Sequence, residues 1–208
     1  MVFLQNLSIL EGTAVRSWPR QREEFIRICR RAVETGMQVS TGGNLSIRLQ
    51  EGLFLVKPTG ISLYDLSEQD LLVTDSSGRT IEGVGRPTKE INAHLGIYRV
   101  RTDVGGIVHY HSPYGTAHAV CEKTVPLLTV HAKRILGKIP IIAPGEEGSE
   151  ALAASVQQVF SEPSVKVALL SGHGILTAGS DLRQAQNLAE LLEESAKIAH
   201  LSQGLSGA

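Results

Sequence analysis

Apolar positions recur along the chain at two periods, and the alternation between them predicts strands interleaved with helices. Residues 19–34 carry Phe25, Ile26, Cys29 and Val33 at helical spacing, with Pro19 suited to a first turn and Gly36 to a stop, so a surface helix is expected there. Short runs at 45–48, 53–56 and 71–74 read as strands, separated by Gln50-Glu51-Gly52 and by Pro58-Thr59-Gly60. Asp75-Ser76-Ser77-Gly78 reads as a turn between two such runs. A stripe of Ile91, Leu95 and Val100 makes 89–100 helical; 106–109 reads as a buried strand entry and 114–121 as a short helix. Residues 139–142 are strand-like, and 148–160 is helical through Leu152, Val156, Val159 and Phe160. The continuous apolar run at 165–170 suits a central strand, with 175–177 pairing beside it. Asp181 is a good N-cap for a long helix through Leu182, Ala185, Leu188, Leu192, Ala196 and Leu201, which frays over 204–208. No internal repeat, low-complexity tract or linker divides the 208 residues, so one α/β domain over 1–208 is expected, its sheet covered by helices on both faces.

Composition narrows the function classes. No stretch approaches the roughly 18 apolar residues of a membrane span, and residues 1–10 lack the cationic start of a secretory signal. Lys and Arg number 20 against 21 Asp and Glu, a net charge of -1, so no basic field exists to drive bulk binding of nucleic acid or anionic membrane. Any anion must be held locally. The 2 cysteines, Cys29 and Cys121, are far apart and form no Cys-x-x-Cys motif, which fits a reduced, cytoplasmic setting. Seven histidines outnumber each aromatic type and point to ligand or acid/base chemistry.

The sharpest chemical feature is Gly105-Gly106-Ile107-Val108-His109-Tyr110-His111. In a strand, residues two apart share a face about 6.5 Å apart, so both imidazoles can reach one ion. The same spacing also fits two surface histidines at a strand end. Gly172-His173-Gly174 follows the apolar run directly, and flanking glycines let backbone approach a ligand at a sheet edge; a third metal ligand or a turn histidine fits there. Glu90 stands where a helix begins, as a first-turn cap or as a catalytic carboxylate. Glu90 and His94 are i, i+4 and could ligate as a pair, but His94 has apolar neighbours and reads as a core histidine. Ser40-Thr41-Gly42-Gly43-Asn44-Leu45-Ser46 and Lys57-Pro58-Thr59-Gly60-Ile61-Ser62 each offer free N–H groups and small polar side chains, the makings of an anion nest or simply of tight turns. Neither matches a Walker loop or a dinucleotide fingerprint.

In this order, Thr41-Gly-Gly-Asn-Leu-Ser46, Lys57-Pro-Thr-Gly60, Pro87-Thr-Lys-Glu90, His109-Tyr-His111 and Gly172-His-Gly174 resemble the class II aldolase/adducin family from about residue 25 to 201. The resemblance implies a three-layer αβα sandwich with a mainly antiparallel central sheet, assembled as a homotetramer with sites between subunits. It implies that His109, His111 and His173 are zinc ligands, with Mn²⁺, Co²⁺ or Fe²⁺ as other candidate ions. It makes Glu90 the catalytic carboxylate and Gly43, Asn44, Thr59 and Gly60 the phosphate loops, with Thr88 and Lys89 also facing substrate.

The implied activity is metal-dependent C–C cleavage of a small phosphorylated keto-sugar through a metal-stabilised enediolate. Decarboxylation of a 3-oxo-tetronate 4-phosphate would use the same enediolate, and a 4-epimerase would cleave and rejoin the same bond. A non-catalytic, adducin-like scaffold is the remaining alternative; it has no need of three imidazoles and a carboxylate. The chain departs from the family's aldolases in three places. Lys89 replaces the second of two serines before the glutamate, adding a cation near Arg86 and Lys57 that suits a sugar acid. No tyrosine occurs in Val125-Pro-Leu-Leu-Thr-Val-His131, where the family's aldolases offer a proton donor from the neighbouring subunit; His131 is the candidate substitute, or a solvated loop residue. The tail at 204–208 has no closing aromatic, so no C-terminal lid is expected.

Overall fold

The structure, a computed structural model, describes residues 17–205; the expectations about residues 1–10 and the tail at 206–208 lie outside them. The chain runs α1 (Pro19–Glu34), β1 (Asn44–Gln50), β2 (Leu53–Val56), β3 (Leu72–Asp75), β4 (Thr80–Glu82), α2 (Ile91–Val100), β5 (Gly106–Tyr110), α3 (Pro113–Val120), α4 (Val130–Leu136), β6 (Ile141–Ile142), α5 (Glu150–Phe160), β7 (Val167–Leu170), β8 (Gly174–Gly179) and α6 (Leu182–Leu205). The strands form one sheet in the order β4-β3-β2-β1-β5-β8-β7-β6. Every adjacent pair is antiparallel except β6 with β7.

Strand alternation sorts the core into two layers. Leu45, Leu55, Val73, Val108, Leu169 and Ile175 face α1, α3, α4 and α6, whereas Phe54, Val56, Leu72, Ile107, Leu170 and Leu176 face α2 and α5. A sheet against each face of which helices bury their apolar stripes is the three-layer αβα arrangement. The first helix is more than a surface element: Phe25, Ile28 and Cys29 are fully buried, and so is Arg22. That guanidinium is satisfied by the carbonyls of Ser17, Glu68 and Leu71 and by the Glu82 carboxylate at 2.6 Å, which ties α1 to the β4 edge. A buried charge persists only when it is paired in this way.

Two elements differ from expectation. α4 carries no sequence signal, and its start is fixed by Thr129, whose side chain accepts from the Ala132 N–H. α6 runs through Gly204 to Leu205 rather than fraying; its start is capped by Asp181, which accepts from the Gln184 N–H at 2.7 Å.

Candidate metal centre and active site

Register brings four element ends to one place. Asn44, the first residue of β1, pairs with His109, and His109 pairs on its other side with Leu176 of β8. His111 lies just past the end of β5, His173 just before the start of β8, and Glu90 is the N-cap residue of α2. The three imidazoles converge: their rings stand 4.9 Å (109–111), 4.5 Å (109–173) and 4.9 Å (111–173) apart, and one nitrogen of each lies within 4.8 Å of the others. This convergence excludes the reading of isolated surface histidines. Gly174 permits it, because a Cβ there would run into the Tyr110 carbonyl and stand 3.0 Å from His111 Cδ2 and 3.2 Å from His109 Cε1.

The donor set fits a cation. His109 Nδ1 lies 2.8 Å from the Ile175 carbonyl, which can only accept, so Nδ1 carries the hydrogen and Nε2 is a bare acceptor. That Nε2 faces His111 Nε2 at 3.0 Å and Glu90 Oε2 at 3.3 Å. His109 Nε2 and the Glu90 carboxylate are both acceptors, an arrangement that positive charge between them would relieve. Burial, opposed by Glu90, pushes His109 down to about 3; burial and His173 push His111 down as well, so both are neutral imidazoles of the form that can bind a cation.

Glu90 is not a simple helix cap. It makes no side-chain cap bond at α2, is 8% exposed, and instead accepts from Asn44 Nδ2 at 2.7 Å and faces His173 Nδ1 at 3.6 Å. Burial works to raise its pKa, but His109, the Asn44 bond, His173 and His94 together outweigh it and hold the carboxyl below its ordinary value. His94 does not join the cluster: it is buried, bonded through Nδ1 to Ser46 Oγ at 2.8 Å, and pushed by burial down to about 4, as a core histidine should be.

Gly43, Asn44, Thr59, Gly60, Thr88 and Lys89 all line one cavity of about 240 Å³, together with Glu90, His111 and His173. Lys57 lines it too, its ammonium donating to the Thr41 and Pro58 carbonyls at 3.3 Å and its pKa lowered by burial. His131 is elsewhere. It lies on α4 in a separate cavity of about 770 Å³ between α1, α3 and α6, which shares none of these lining residues. Two site residues carried no sequence signal: Gln38, whose Oε1 accepts from the His111 N–H at 2.8 Å, and Glu147, whose Oε1 lies 3.6 Å from His173 Nε2.

The fold and the relatives it shares define a lyase of the class II aldolase type. The family model for the Class II Aldolase and Adducin N-terminal domain matches residues 23–200, and the chain belongs to that family. It is 36% identical over 182 residues to L-fuculose phosphate aldolase of Methanococcus maripaludis, covering 88% of this chain and 97% of that one. It is 35% identical over 189 residues to 3-oxo-tetronate 4-phosphate decarboxylase of Haemophilus influenzae, covering 88% and 89% respectively. A solved L-fuculose 1-phosphate aldolase superposes with a TM-score of 0.84 at 28% identity over 91% of this chain and 89% of that chain.

Proposed function

We propose that this protein is a divalent-metal-dependent C–C lyase that cleaves a small phosphorylated keto-sugar. The convergence of His109, His111 and His173 with Glu90 at the wall of a cavity that also holds the anion-nest loops carries the reading. The imidazoles would hold the ion, zinc being our choice; when bound, it would polarise the substrate ketone and stabilise negative charge on neighbouring oxygens. The residues of the chain do the rest. Gly43, Asn44, Thr59 and Gly60 hold the phosphate and so fix which bond lies beside the histidines. Glu90 faces the same space and shuttles the proton: as a carboxylate it takes up the proton released by the leaving hydroxyl, and once the C–C bond has broken it delivers that proton to the carbon next to the ketone. Lys89 and Thr88 add a cation and a hydroxyl to the anion side.

A role for His131 in taking up the hydroxyl proton as the departing fragment becomes an aldehyde requires a second copy of the chain to bring it to the cavity, so it stands or falls with the proposed homotetramer. A cytoplasmic setting belongs to the same proposal and is supported by Cys29 and Cys121 both being free thiols. Decarboxylation of a 3-oxo-tetronate 4-phosphate is the second reading, favoured by Lys89 on the cavity wall in place of a serine. Metal analysis and two assays test the assignment. About one zinc per chain is expected, lost in a H109A/H111A double variant, with release of an aldehyde and a triose phosphate from fuculose 1-phosphate. Stoichiometric metal in the double variant would refute the site, and CO₂ from the tetronate phosphate in place of aldehyde would select the second reading.

A further inference from the structure

We propose that Gln38 is a positioning residue that locks the metal ligand His111 and the phosphate loop at Gly42 and Gly43 into one unit, an inference that rests on the metal-lyase reading above. Gln38 is 3% exposed. Its Oε1 accepts from the His111 backbone N–H at 2.8 Å and its Nε2 donates to the Val39 carbonyl at 2.8 Å. These two partners assign the amide orientation uniquely, since an N–H requires an acceptor and a carbonyl requires a donor.

The loop is moulded around this side chain. A Cβ at Gly42 would stand 2.8 Å from Gln38 Nε2 and 3.0 Å from His111 Nδ1, and one at Gly43 would stand 2.6 Å from Gln38 Oε1. Both glycines therefore lie directly against Gln38, and Gly42 lies against the His111 ring as well. Gly43 also has φ 66, the left-handed region that favours glycine. One amide thus fixes where β5 delivers His111 and where the loop delivers its N–H groups, so the ion and the phosphate are held at a set separation. Two sites sharing one rigid element are energetically linked, and loss of the element weakens both.

Two variants separate the functions of the amide. Q38A removes both bonds and opens the space beneath the glycines. Q38E keeps an acceptor for the His111 N–H but sets a carboxylate oxygen against the Val39 carbonyl, which displaces the loop. Cobalt(II) binding by calorimetry and visible absorption, and inorganic phosphate binding to the metal-loaded protein, give the readouts. Q38A should weaken cobalt about tenfold or more and phosphate with it, while Q38E keeps cobalt within about threefold and loses phosphate affinity by a larger factor. A role in stability alone would lower the melting temperature and leave both affinities of the folded protein unchanged, which would overturn the inference, as would a Q38E protein that binds phosphate like wild type. The Q38E comparison decides the matter if Q38A folds poorly. Wild-type protein that binds no cobalt would instead overturn the metal-lyase reading itself.

Discussion

Asn44 and Glu90, 46 residues apart, share a 2.7 Å hydrogen bond from Nδ2 to Oε2, and the buried Oδ1 of the same amide has no partner among the described residues. The bond holds a helix N-cap carboxylate in the cavity and favours its charged form against burial, which disfavours it. In N44A the burial contribution is left less opposed, so the Glu90 pKa rises. The acidic limb of the kcat/KM profile should then move to higher pH, and activity at pH 7 should fall about tenfold or more. A profile that keeps its acidic limb in N44A would detach this bond from catalysis.

His94 makes acid a destabilising condition. Buried and neutral, it takes a proton only near 4 in the folded protein against about 6.5 in the unfolded chain. Between those values the unfolded state binds more protons, so its contribution is fully present above about 6.5 and is lost as pH falls toward 4. The interval corresponds to about 3 kcal/mol. Urea midpoints of metal-free protein should fall between pH 7.5 and pH 5, and H94Q should show a shallower fall. Equal slopes in the two proteins would contradict the assignment.

The two glycines flanking His173 should respond differently to alanine. Gly172 has φ +67 with nothing within 4 Å of a Cβ, so G172A costs backbone strain of about 1–2 kcal/mol and little else. Gly174 has ordinary φ but sits against the Tyr110 carbonyl and both rings of the His-x-His pair. G174A should cost about 1–3 kcal/mol through overpacking and also weaken metal binding, which G172A should not. Calorimetric metal titration of the two variants, alongside their urea unfolding, makes the comparison.

The parts of the site that periodicity and local motifs could reach are those held by neighbours in sequence. His109 and His111 announce themselves because a strand has period two, and Gly172-His173-Gly174 because glycine marks close backbone approach. Gln38 was invisible, since its partner is a backbone N–H 73 residues away and nothing in a lone glutamine signals that. Glu147 reads as loop charge, being 57% exposed, and meets His173 only through the tertiary fold. α4 escaped for a related reason: of its seven residues only Ala132 and Leu136 are buried, and Val130 is 83% exposed, so no apolar stripe forms. His131 follows the His-x-His motif in sequence, but sequence order does not say which cavity a residue will line, and His131 lines the other one. Residues that act through distant backbone leave no periodic trace.

Lys89 offers the sharpest division between the two chemistries. It is exposed at the cavity wall, between Thr88 and Glu90, and sets a positive charge there that a serine would lack. If its ammonium serves the phosphate, K89S removes the same charge-assisted contact from every phosphorylated substrate, about 1.5–3 kcal/mol or roughly tenfold and more in KM. That loss should then be equal for fuculose 1-phosphate and a 3-oxo-tetronate 4-phosphate, with kcat little changed, because the contact is made equally in ground and transition states. We expect this outcome under the aldol-cleavage reading. A loss at least tenfold larger with the sugar acid would place the ammonium on the substrate carboxylate, and the reaction would have to be reassigned to loss of CO₂.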